Sequence, residues 1–547
     1  MRATPRGSWI ALIALAFAFF AQSYSASRLK SPTWDEPFHM AVGLAYIETG
    51  SIFSTLANTP LLREIAACLL PAVGIDWPDS EIGNRVITVT QPDFHTAIGL
   101  QYAAGREIMH AKGPDRVLFW SRLPMILLAT GFIFIIYLLG RATFGNGAGL
   151  GAAFLYAFDP NILAQSFLTT TDAGLAFFAV LFAFAVWSYI QRQTLWRLLF
   201  SGVALGAVLS AKYTAIVLLP TAALWLTASA IWPPAAAPPT PLRARLIRNA
   251  CAFAGMCLAA ILAMECIYLF PPNLFHVYFA GLGEVTETPE GIFFMAGKLA
   301  HRFYGYFVVT WLLKEPLAII FAVALGLFLT VRQWKTTYFR TAFLLLPAAA
   351  FLTIYSLLAN DFGIRYIDVV LPFMHIFGGV GLAALFSSTS RKARISGVVL
   401  STWVLAAAAG IYPDHLSYFN ETACLLTDPS KIGFDGGSSC GIKWLDESNV
   451  DLGGGLKQLK SWMNQHFPGQ RFHIGYFGSF PPEYYYMNCD VLSADEALKG
   501  KMRGPVAMSA YFVASLPQRF HRADGEWMQK MKPVAIVGHS YYIFDLK

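Results

Sequence analysis

The sequence predicts a polytopic α-helical membrane protein with about 11 transmembrane helices, followed by a C-terminal α/β domain. Of its 547 residues, 56% are hydrophobic and only 13% are charged, whereas roughly a quarter of the residues in soluble domains are charged. Apolar runs of about 20 residues, long enough to cross a bilayer, recur along the chain. The net charge of +7 lies mostly in short loops between these runs, so it indicates membrane orientation and not nucleic-acid binding.

The apolar segments give the number of spans. Two of them flank Lys212 and are short, so they fit either one bent span or two. The segments are 8–26, 117–139, 147–164, 172–190, 197–211, 213–232, 249–270, 314–331, 341–358, 366–386 and 395–412.

Positive charges predict a cytoplasmic N-terminus, because basic loops stay on the cytoplasmic side. Eleven spans place the loop 27–116, the loop 271–313 and the tail 413–547 outside. The first segment also resembles a signal peptide ending near Ser25-Ala26, but it is long enough to span, which favours an uncleaved anchor. The basic residues that share the cytoplasmic side are Arg2, Arg6, Arg141, Arg192, Arg197, Arg243, Arg245, Arg248, Arg332, Lys335, Arg340, Arg391, Lys392 and Arg394.

Two domains are expected, 1–412 in the membrane and 413–547 outside it. The second region is polar and has short strand-like runs at 472–477, 534–537 and 541–544, with a helix-like stretch over 456–467. Cys424, Cys440 and Cys489 lie in it, and an oxidising space would allow a disulfide, but the sequence does not choose the pair.

Acidic residues beside the apolar segments are the first candidates for chemistry. Asp35 and Glu36 follow the first span, with His39 one helical turn after Asp35, and Asp172 begins the fourth span. Carboxylates are costly near hydrocarbon unless they have a function. The alternative is that Asp35 or Glu36 caps a loop helix and that Asp172 caps its own helix.

Three cations oppose the orientation pattern, since Lys212, Lys314 and Arg365 are all predicted on the outer side. Together they are suited to a phosphate at the lipid headgroup level. The alternative is snorkelling, or pairing with the neighbouring acids Glu315 and Asp361.

These motifs, in this order and on one predicted side, resemble the GT-C membrane glycosyltransferases, and in particular the bacterial family 39 group. That group is similar to protein O-mannosyltransferases and lipid A aminoarabinose transferases. The family usually has a basic residue before Pro-Pro-Leu in the first outer loop, where this chain has Asn58-Thr59-Pro60-Leu61, with Arg63 as a possible substitute. The matching motifs are Trp34-Asp35-Glu36-Pro37-Phe38-His39, Thr171-Asp172, Ala211-Lys212-Tyr213-Thr214, Gly363-Ile364-Arg365-Tyr366, Tyr418-Phe419-Asn420-Glu421 and Asp446-Glu447-Ser448-Asn449-Val450-Asp451.

The resemblance implies an inverting glycosyltransferase of the bacterial inner membrane, with a polyprenyl-phosphate-linked sugar as donor and a protein, lipid or glycan as acceptor. It implies that Asp35 is the base and that Glu36 and Asp172 orient substrates or an optional divalent metal ion. Lys212, Arg365 and Lys314 would bind the donor phosphate, and His39 and Tyr366 the substrate. The two other classes considered are a transporter or lipid flippase, which usually has repeated halves and charges at the membrane midplane, and a non-catalytic membrane scaffold.

Overall fold

The computed structural model describes residues 5–50, 59–88, 94–234, 239–286 and 291–547, and helices dominate the chain up to residue 411. These helices are α1 (Arg6–Leu29), α2 (Glu36–Thr49), α3 (Leu61–Ala67), α4 (Glu81–Thr88), α5 (Phe94–Lys112), α6 (Pro114–Phe144), α7 (Asn146–Phe158), α8 (Pro160–Gln165), α9 (Asp172–Gln191), α10 (Leu195–Leu209), α11 (Leu218–Ile231), α12 (Leu242–Ile267), α13 (Leu274–Thr286), α14 (Tyr306–Lys314), α15 (Leu317–Arg332), α16 (Trp334–Leu358), α17 (Leu371–Ser387) and α18 (Arg391–Ile411).

The predicted multi-pass membrane architecture is confirmed. Within the described ranges, seven helical segments are long and apolar enough to cross a membrane: α1, α6, α9, α12, α16, α18 and Tyr213–Ile231. Helices α14 and α15 form an eighth candidate, bent by 113° at their junction. Every predicted segment contains a helix, but α7 has 13 residues and extends only about 20 Å, less than the ~30 Å of a bilayer core. Eleven helical segments therefore do not mean eleven full spans.

Two breaks in the helices carry predicted site residues. Lys212 is extended, with φ of −164°, and separates α10 from the turn Tyr213–Val217 that leads into α11. The second break follows Lys314, where Glu315 is also extended and precedes Pro316. Proline has no amide hydrogen to continue the helix. Both breaks turn polar side chains into the protein interior.

Close helix packing depends on glycine. A β-carbon at Gly326 of α15 would lie 1.8 Å from the carbonyl oxygen of Phe377 in α17. In the first long loop, a β-carbon at Gly43 of α2 would lie 2.0 Å from the carbonyl oxygen of Arg63. Small residues allow such backbones to approach. The second contact fixes α2, and with it the residues just before α2, against α3.

The C-terminal region contains a five-stranded sheet, with strands in the order β4 (Cys489–Val491), β3 (Phe472–Gly475), β5 (Gly504–Ser509), β7 (Tyr541–Leu546) and β6 (Ala535–Val537). Strand β3 is parallel to both β4 and β5, whereas β7 is antiparallel to β5 and β6. The predicted helix and three predicted strands are present as α20, β3, β6 and β7. A separate hairpin of β1 (Phe293–Met295) and β2 (Lys298–Ala300) precedes α14. The elements of the C-terminal region are α19 (Thr422–Leu425), α20 (Leu456–His466), β3 (Phe472–Gly475), β4 (Cys489–Val491), α21 (Ala494–Lys499), β5 (Gly504–Ser509), α22 (Ala510–Arg519), α23 (Trp527–Lys530), β6 (Ala535–Val537) and β7 (Tyr541–Leu546).

A segment without regular strands, 412–455, joins the sheet to the helical part. Cys424 and Cys440 form a disulfide within it, which leaves Cys489 as a free thiol in β4. The Asn420 side-chain amide donates to the carbonyl oxygens of Leu312 and Glu315 at the bent helix pair, each at 2.7 Å. The segment therefore rests directly on the second helix break.

The same segment also holds the chain that precedes α2. The Ser31 amide donates to the Gly454 carbonyl at 2.9 Å, and the Trp34 amide donates to the Leu452 carbonyl at 2.7 Å. Asp35, the next residue, thus has its backbone position set by the C-terminal region.

Candidate functional site

A cavity of about 490 Å³ lies where the membrane helices, the first long loop and the C-terminal region meet. It brings together side chains that are far apart in sequence. Of the eight predicted site residues, six line it: Asp35, His39, Asp172, Lys212, Arg365 and Tyr366. Glu36 and Lys314 do not. The grouping of six predicted residues around one cavity supports treating it as the candidate active site.

Asp35 lies immediately before α2, where an aspartate often caps the helix. Its carboxylate makes no capping bond. Instead, Arg365 Nη1 lies 2.6 Å from Asp35 Oδ2, and the Tyr102 hydroxyl donates to Oδ1 at 3.3 Å. Burial raises the pKa of Asp35, but the Arg365 guanidinium, His39 and Tyr102 together outweigh burial and hold the pKa below its usual value. Asp35 is therefore ionised at neutral pH.

Asp172 and Lys212 form a second ion pair in the same cavity, with Lys212 Nζ 2.5 Å from Asp172 Oδ1. Asp172 is the first residue of α9, and the N-cap position is occupied by Thr171, whose side chain makes no capping bond. The Lys212 ammonium also lies 4.4 Å from the centre of the Tyr366 ring, a distance suited to a cation–π contact. The break after α10 thus directs a lysine into the cavity and not toward water.

The two ion pairs influence each other. Burial lowers the pKa of Arg365, but Asp35 and, more weakly, Asp172 raise it above its ordinary value. The four charges sum to zero. A ligand that carries its own negative charge would therefore compete with Asp35 and Asp172 for the two cations.

His39 lies beside Asp35 in the cavity wall and is held by Arg63. Arg63 Nε donates to His39 Nδ1 at 3.3 Å, so the neutral ring carries its proton on Nε2. Burial, reinforced by the Arg63 charge, lowers the pKa of His39 to about 3. Arg63 itself lies behind the wall, with its guanidinium 4.7 Å from the Phe38 ring centre. Asn58, at the start of the altered Pro-Pro-Leu region, lies outside the described residues.

Glu36 has a different environment from the one predicted for a substrate-orienting acid. Its carboxylate is fully buried and accepts from Arg122 Nε at 2.8 Å and from Arg122 Nη2 at 2.6 Å. The amide of Thr33 donates to the same carboxylate at 2.8 Å. Adjacent residues at a helix start point about 100° apart. Asp35 therefore faces the cavity, while Glu36 faces α6.

Lys314 also lies away from the cavity that its predicted phosphate-binding role requires. Its buried ammonium donates to the carbonyl oxygens of Leu416 at 2.8 Å and Asn449 at 2.5 Å, and it lies 4.5 Å from the Phe419 ring centre. The two acids suggested as partners have other contacts: Glu315 does not pair with Lys314, and Asp361 does not pair with Arg365. Glu315 contacts His375, and Asp361 accepts from the Phe303 amide.

Glu447 is a cavity residue that the sequence did not single out. It was part of a motif assigned to the C-terminal region, and only the fold brings that motif to the wall near Arg365. Its φ is +49°, in the left-handed region that non-glycine residues avoid. Burial, together with the neighbouring Asp446, raises the pKa of Glu447 to about 8, although Arg519 and Arg365 oppose this. Strained, mostly buried acids of this kind are frequent at functional sites.

A separate group lies in the helical interior. Asp159, Glu315 and His375 are buried, and one ligand atom from each lies within 4.8 Å of the others, an arrangement that could hold a metal ion. The divalent ion predicted from the sequence was assigned to the acids around Asp35 and not to this group.

Residues 115–268 match the family model described as dolichyl-phosphate-mannose-protein mannosyltransferase. The predicted resemblance to membrane glycosyltransferases is confirmed by this match. The matched range includes Arg122, Asp172 and Lys212. None of the curated proteins matches the chain by sequence.

Solved structures give weaker similarity over more of the chain. ArnT from Cupriavidus metallidurans, bound to undecaprenyl phosphate, is 11% identical, with a TM-score of 0.45, covering 99% of this chain and 98% of ArnT. The oligosaccharyltransferase AglB from Archaeoglobus fulgidus, in complex with an inhibitory peptide and a dolichol-phosphate, is also 11% identical, with a TM-score of 0.45, covering 94% of this chain and 72% of AglB. The Pmt1-Pmt2 protein O-mannosyltransferase complex from S. cerevisiae, bound to the sugar donor, is 15% identical, with a TM-score of 0.31, covering 54% of this chain and 36% of that chain.

The environments of Asp35 and Glu36 predict opposite consequences of mutation. Glu36→Gln leaves Arg122 buried without a counter-charge, which typically costs about 3–5 kcal/mol of stability. Asp35→Asn affects a partly exposed pair and is expected to cost much less. Thermal unfolding of both purified variants in the same detergent measures the difference. Equal melting temperatures for Glu36→Gln and the wild type would contradict the structural role of Glu36.

Proposed function

We propose that the protein is an inverting glycosyltransferase that moves one sugar from a polyprenyl phosphate to an acceptor hydroxyl. The observation that carries this proposal is the cavity that joins the Asp35 carboxylate to the Arg365 and Lys212 cations. The match of residues 115–268 to the mannosyltransferase family supports it. A volume of about 490 Å³ also falls in the range of ~300–1,000 Å³ that is usual for small-molecule sites.

Asp35 is proposed as the general base. The acceptor oxygen attacks the anomeric carbon of the donor sugar and gives its proton to the Asp35 carboxylate. The bond between that carbon and the phosphate oxygen breaks, and its electron pair leaves with the polyprenyl phosphate. Because the acceptor attacks opposite the leaving group, the configuration of the sugar inverts. The lowered pKa keeps Asp35 in the ionised form that can accept the proton.

Arg365 and Lys212 are proposed to bind the donor phosphate and stabilise the charge that grows on it as the bond breaks. Fixed cations in an enclosed site stabilise such charge more strongly than water does. Binding of the donor phosphate would draw Arg365 partly away from Asp35, which frees the Asp35 carboxylate for the acceptor. Donor binding and base activation are in this way linked through a single guanidinium.

The remaining wall residues are proposed to position these groups. Asp172 holds Lys212 in the cavity through the 2.5 Å ion pair, and the Tyr366 ring makes a cation–π contact with the same ammonium. His39, with its proton on Nε2, is a neutral donor for a sugar hydroxyl. Glu36 and Lys314 are instead proposed to hold the site together, Glu36 through Arg122 and Lys314 through the segment 412–455.

The optional divalent ion that Glu36 and Asp172 were predicted to orient is proposed to be unnecessary for transfer. Each of these two carboxylates already has a cation within 2.6 Å, and a divalent ion would have to displace Arg122 and Lys212. Fixed protein cations then supply the charge that a metal would supply at the leaving phosphate.

We propose that the site faces the outside of a bacterial inner membrane, with the N-terminus in the cytoplasm. The Cys424–Cys440 disulfide supports this, because disulfides persist in oxidising compartments. The basic loops of the sequence support the same orientation. The region 413–547 is proposed as the extracytoplasmic domain, where it would select a protein, lipid or glycan acceptor. A transporter or a scaffold does not require a base and two phosphate-binding cations in one cavity.

Replacing Asp35 by asparagine is expected to lower turnover by about 10²–10⁴-fold, the usual contribution of a general base. The assay offers a panel of polyprenyl-phosphate sugars and a crude envelope extract to purified protein in nanodiscs, and it follows free polyprenyl phosphate by mass spectrometry. Asp76→Asn, an exposed acid of the same loop, is the matched control. Wild-type turnover by Asp35→Asn would overturn the assignment of the base, and no release from any donor would overturn the proposed function.

Glu447 is proposed to make donor binding depend on pH. It is mostly neutral below its pKa of about 8 and negatively charged above it, where it stays paired with Arg519 at 3.2 Å and its charge would repel the donor phosphate bound near Arg365. The KM for the donor should therefore rise as the pH increases through about 8. Glu447→Gln should remove this rise, whereas the exposed-acid control Glu483→Gln should keep it. The same alkaline rise in Glu447→Gln would contradict the role of this residue.

A further inference from the structure

Three buried side chains in the helical part converge on one point outside the cavity. His375 Nε2 lies 3.1 Å from Asp159 Oδ2 and 3.3 Å from Glu315 Oε1. The three side chains are at most 1% exposed. None of them lines the candidate active site, and the proposed transfer reaction does not use them. Their arrangement needs a separate explanation.

Hydrogen bonding accounts poorly for this geometry. Both carboxylates approach the same ring nitrogen, which has one hydrogen to share at most, while His375 Nδ1 has no hydrogen-bond partner. His539 makes the usual contrasting arrangement. Its Nδ1 lies 3.1 Å from Asp414, and its Nε2 lies 3.1 Å from Asp435. Two carboxylates facing a single nitrogen instead suit a common centre between the three ligand atoms.

The distances also fit such a centre. Zinc bonds nitrogen and oxygen ligands at about 2.0–2.2 Å in tetrahedral sites, which places neighbouring ligand atoms about 3.3 Å apart. The separations of 3.1 and 3.3 Å from His375 to the two carboxylates are close to this value.

The group lacks a positive charge when both acids are ionised. Two ionised carboxylates and one protonated imidazole together leave a net charge of minus one. Among the residues that the structure describes, no lysine or arginine forms an ion pair with Asp159 or Glu315. The nearby Lys314 ammonium is directed toward the Leu416 and Asn449 carbonyl oxygens. Glu315 Oε2, also buried, has no hydrogen-bond partner. Isolated buried charge of this kind is strongly unfavourable.

Independent contacts hold the ligands in place. Asp159 Oδ1 accepts from the Asn161 amide at 2.8 Å as the N-cap of α8, which leaves Oδ2 directed at His375. Glu315 lies in the break between α14 and α15, where the Asn420 side chain donates to its carbonyl oxygen. His375 lies on α17. Three chain segments therefore present one ligand each without needing a metal to fold into position.

We propose that Asp159, Glu315 and His375 bind one first-row divalent metal ion of the zinc type. Imidazole combined with carboxylate favours such ions over Mg²⁺ and Ca²⁺, which prefer oxygen ligands alone. The ion would neutralise the buried acids and join α8, the bent helix pair and α17. Its role is structural, so this proposal is independent of the proposed glycosyl transfer.

The test measures metal content and metal-dependent stability in the full-length protein. Wild type purified without chelators from zinc-supplemented medium is expected to hold about one metal ion per chain, bound by the three side chains. His375→Gln keeps a hydrogen-bond donor but is a poor metal ligand, and it should lose most of this metal. His539→Gln changes a partly exposed histidine–carboxylate group elsewhere in the protein and should keep the metal.

Thermal unfolding provides the second readout, measured on the wild type and on His375→Gln. A strong chelator should lower the melting temperature of the wild type, and added Zn²⁺ should restore it, while His375→Gln should respond to neither. Wild type that contains no metal and melts at the same temperature with chelator or Zn²⁺ would overturn the proposal. Wild-type metal content in His375→Gln would overturn it as well.

Discussion

The rest of this structure depends on neutralising charges that are removed from water beside a membrane. Ionised side chains at such positions are costly unless they are paired. The pair Arg122–Glu36 joins α6 to the start of α2 and fixes where the neighbouring Asp35 lies. Asp35 and Asp172 are then neutralised by Arg365 and Lys212 inside the cavity. These two ion pairs stabilise the cavity, and they also hold in place the base and the phosphate-binding cations that the proposed reaction uses.

The sequence predicted much of this arrangement because lipid imposes simple rules. Long apolar segments had to be helices, and the predicted strands at 472–477, 534–537 and 541–544 followed from short strand-like runs within a polar region. Charged residues that interrupt or directly precede apolar segments, such as Lys212 and Arg365, were identifiable because lipid-facing positions exclude them. Motif resemblance then connected these residues, and the structure places six of the eight around a single cavity.

What the sequence could not give were the three-dimensional partners. Glu36 and Asp35 are adjacent in sequence, and only the position of Arg122, 86 residues away from Glu36, determines which of them faces the protein interior. Lys314 carries the positive charge expected of a phosphate-binding residue, but its ammonium donates to backbone carbonyl oxygens of the C-terminal region. Glu447 gave no separate signal because it lies in the cavity only after the segment 412–455 folds back. The Cys424–Cys440 pairing was likewise one of three choices that the spacing left open.

The central claim is that Arg365 exchanges part of its contact with Asp35 for the donor phosphate, which Lys212 also binds. Cryo-electron microscopy of the protein in nanodiscs, with and without a bound polyprenyl phosphate, tests it most directly. We expect the phosphate to lie within hydrogen-bond distance of Arg365 and Lys212, with the 2.6 Å contact between Arg365 and Asp35 lengthened and the Asp35 carboxylate open to the acceptor. A phosphate bound elsewhere, with both ion pairs intact, would contradict the account.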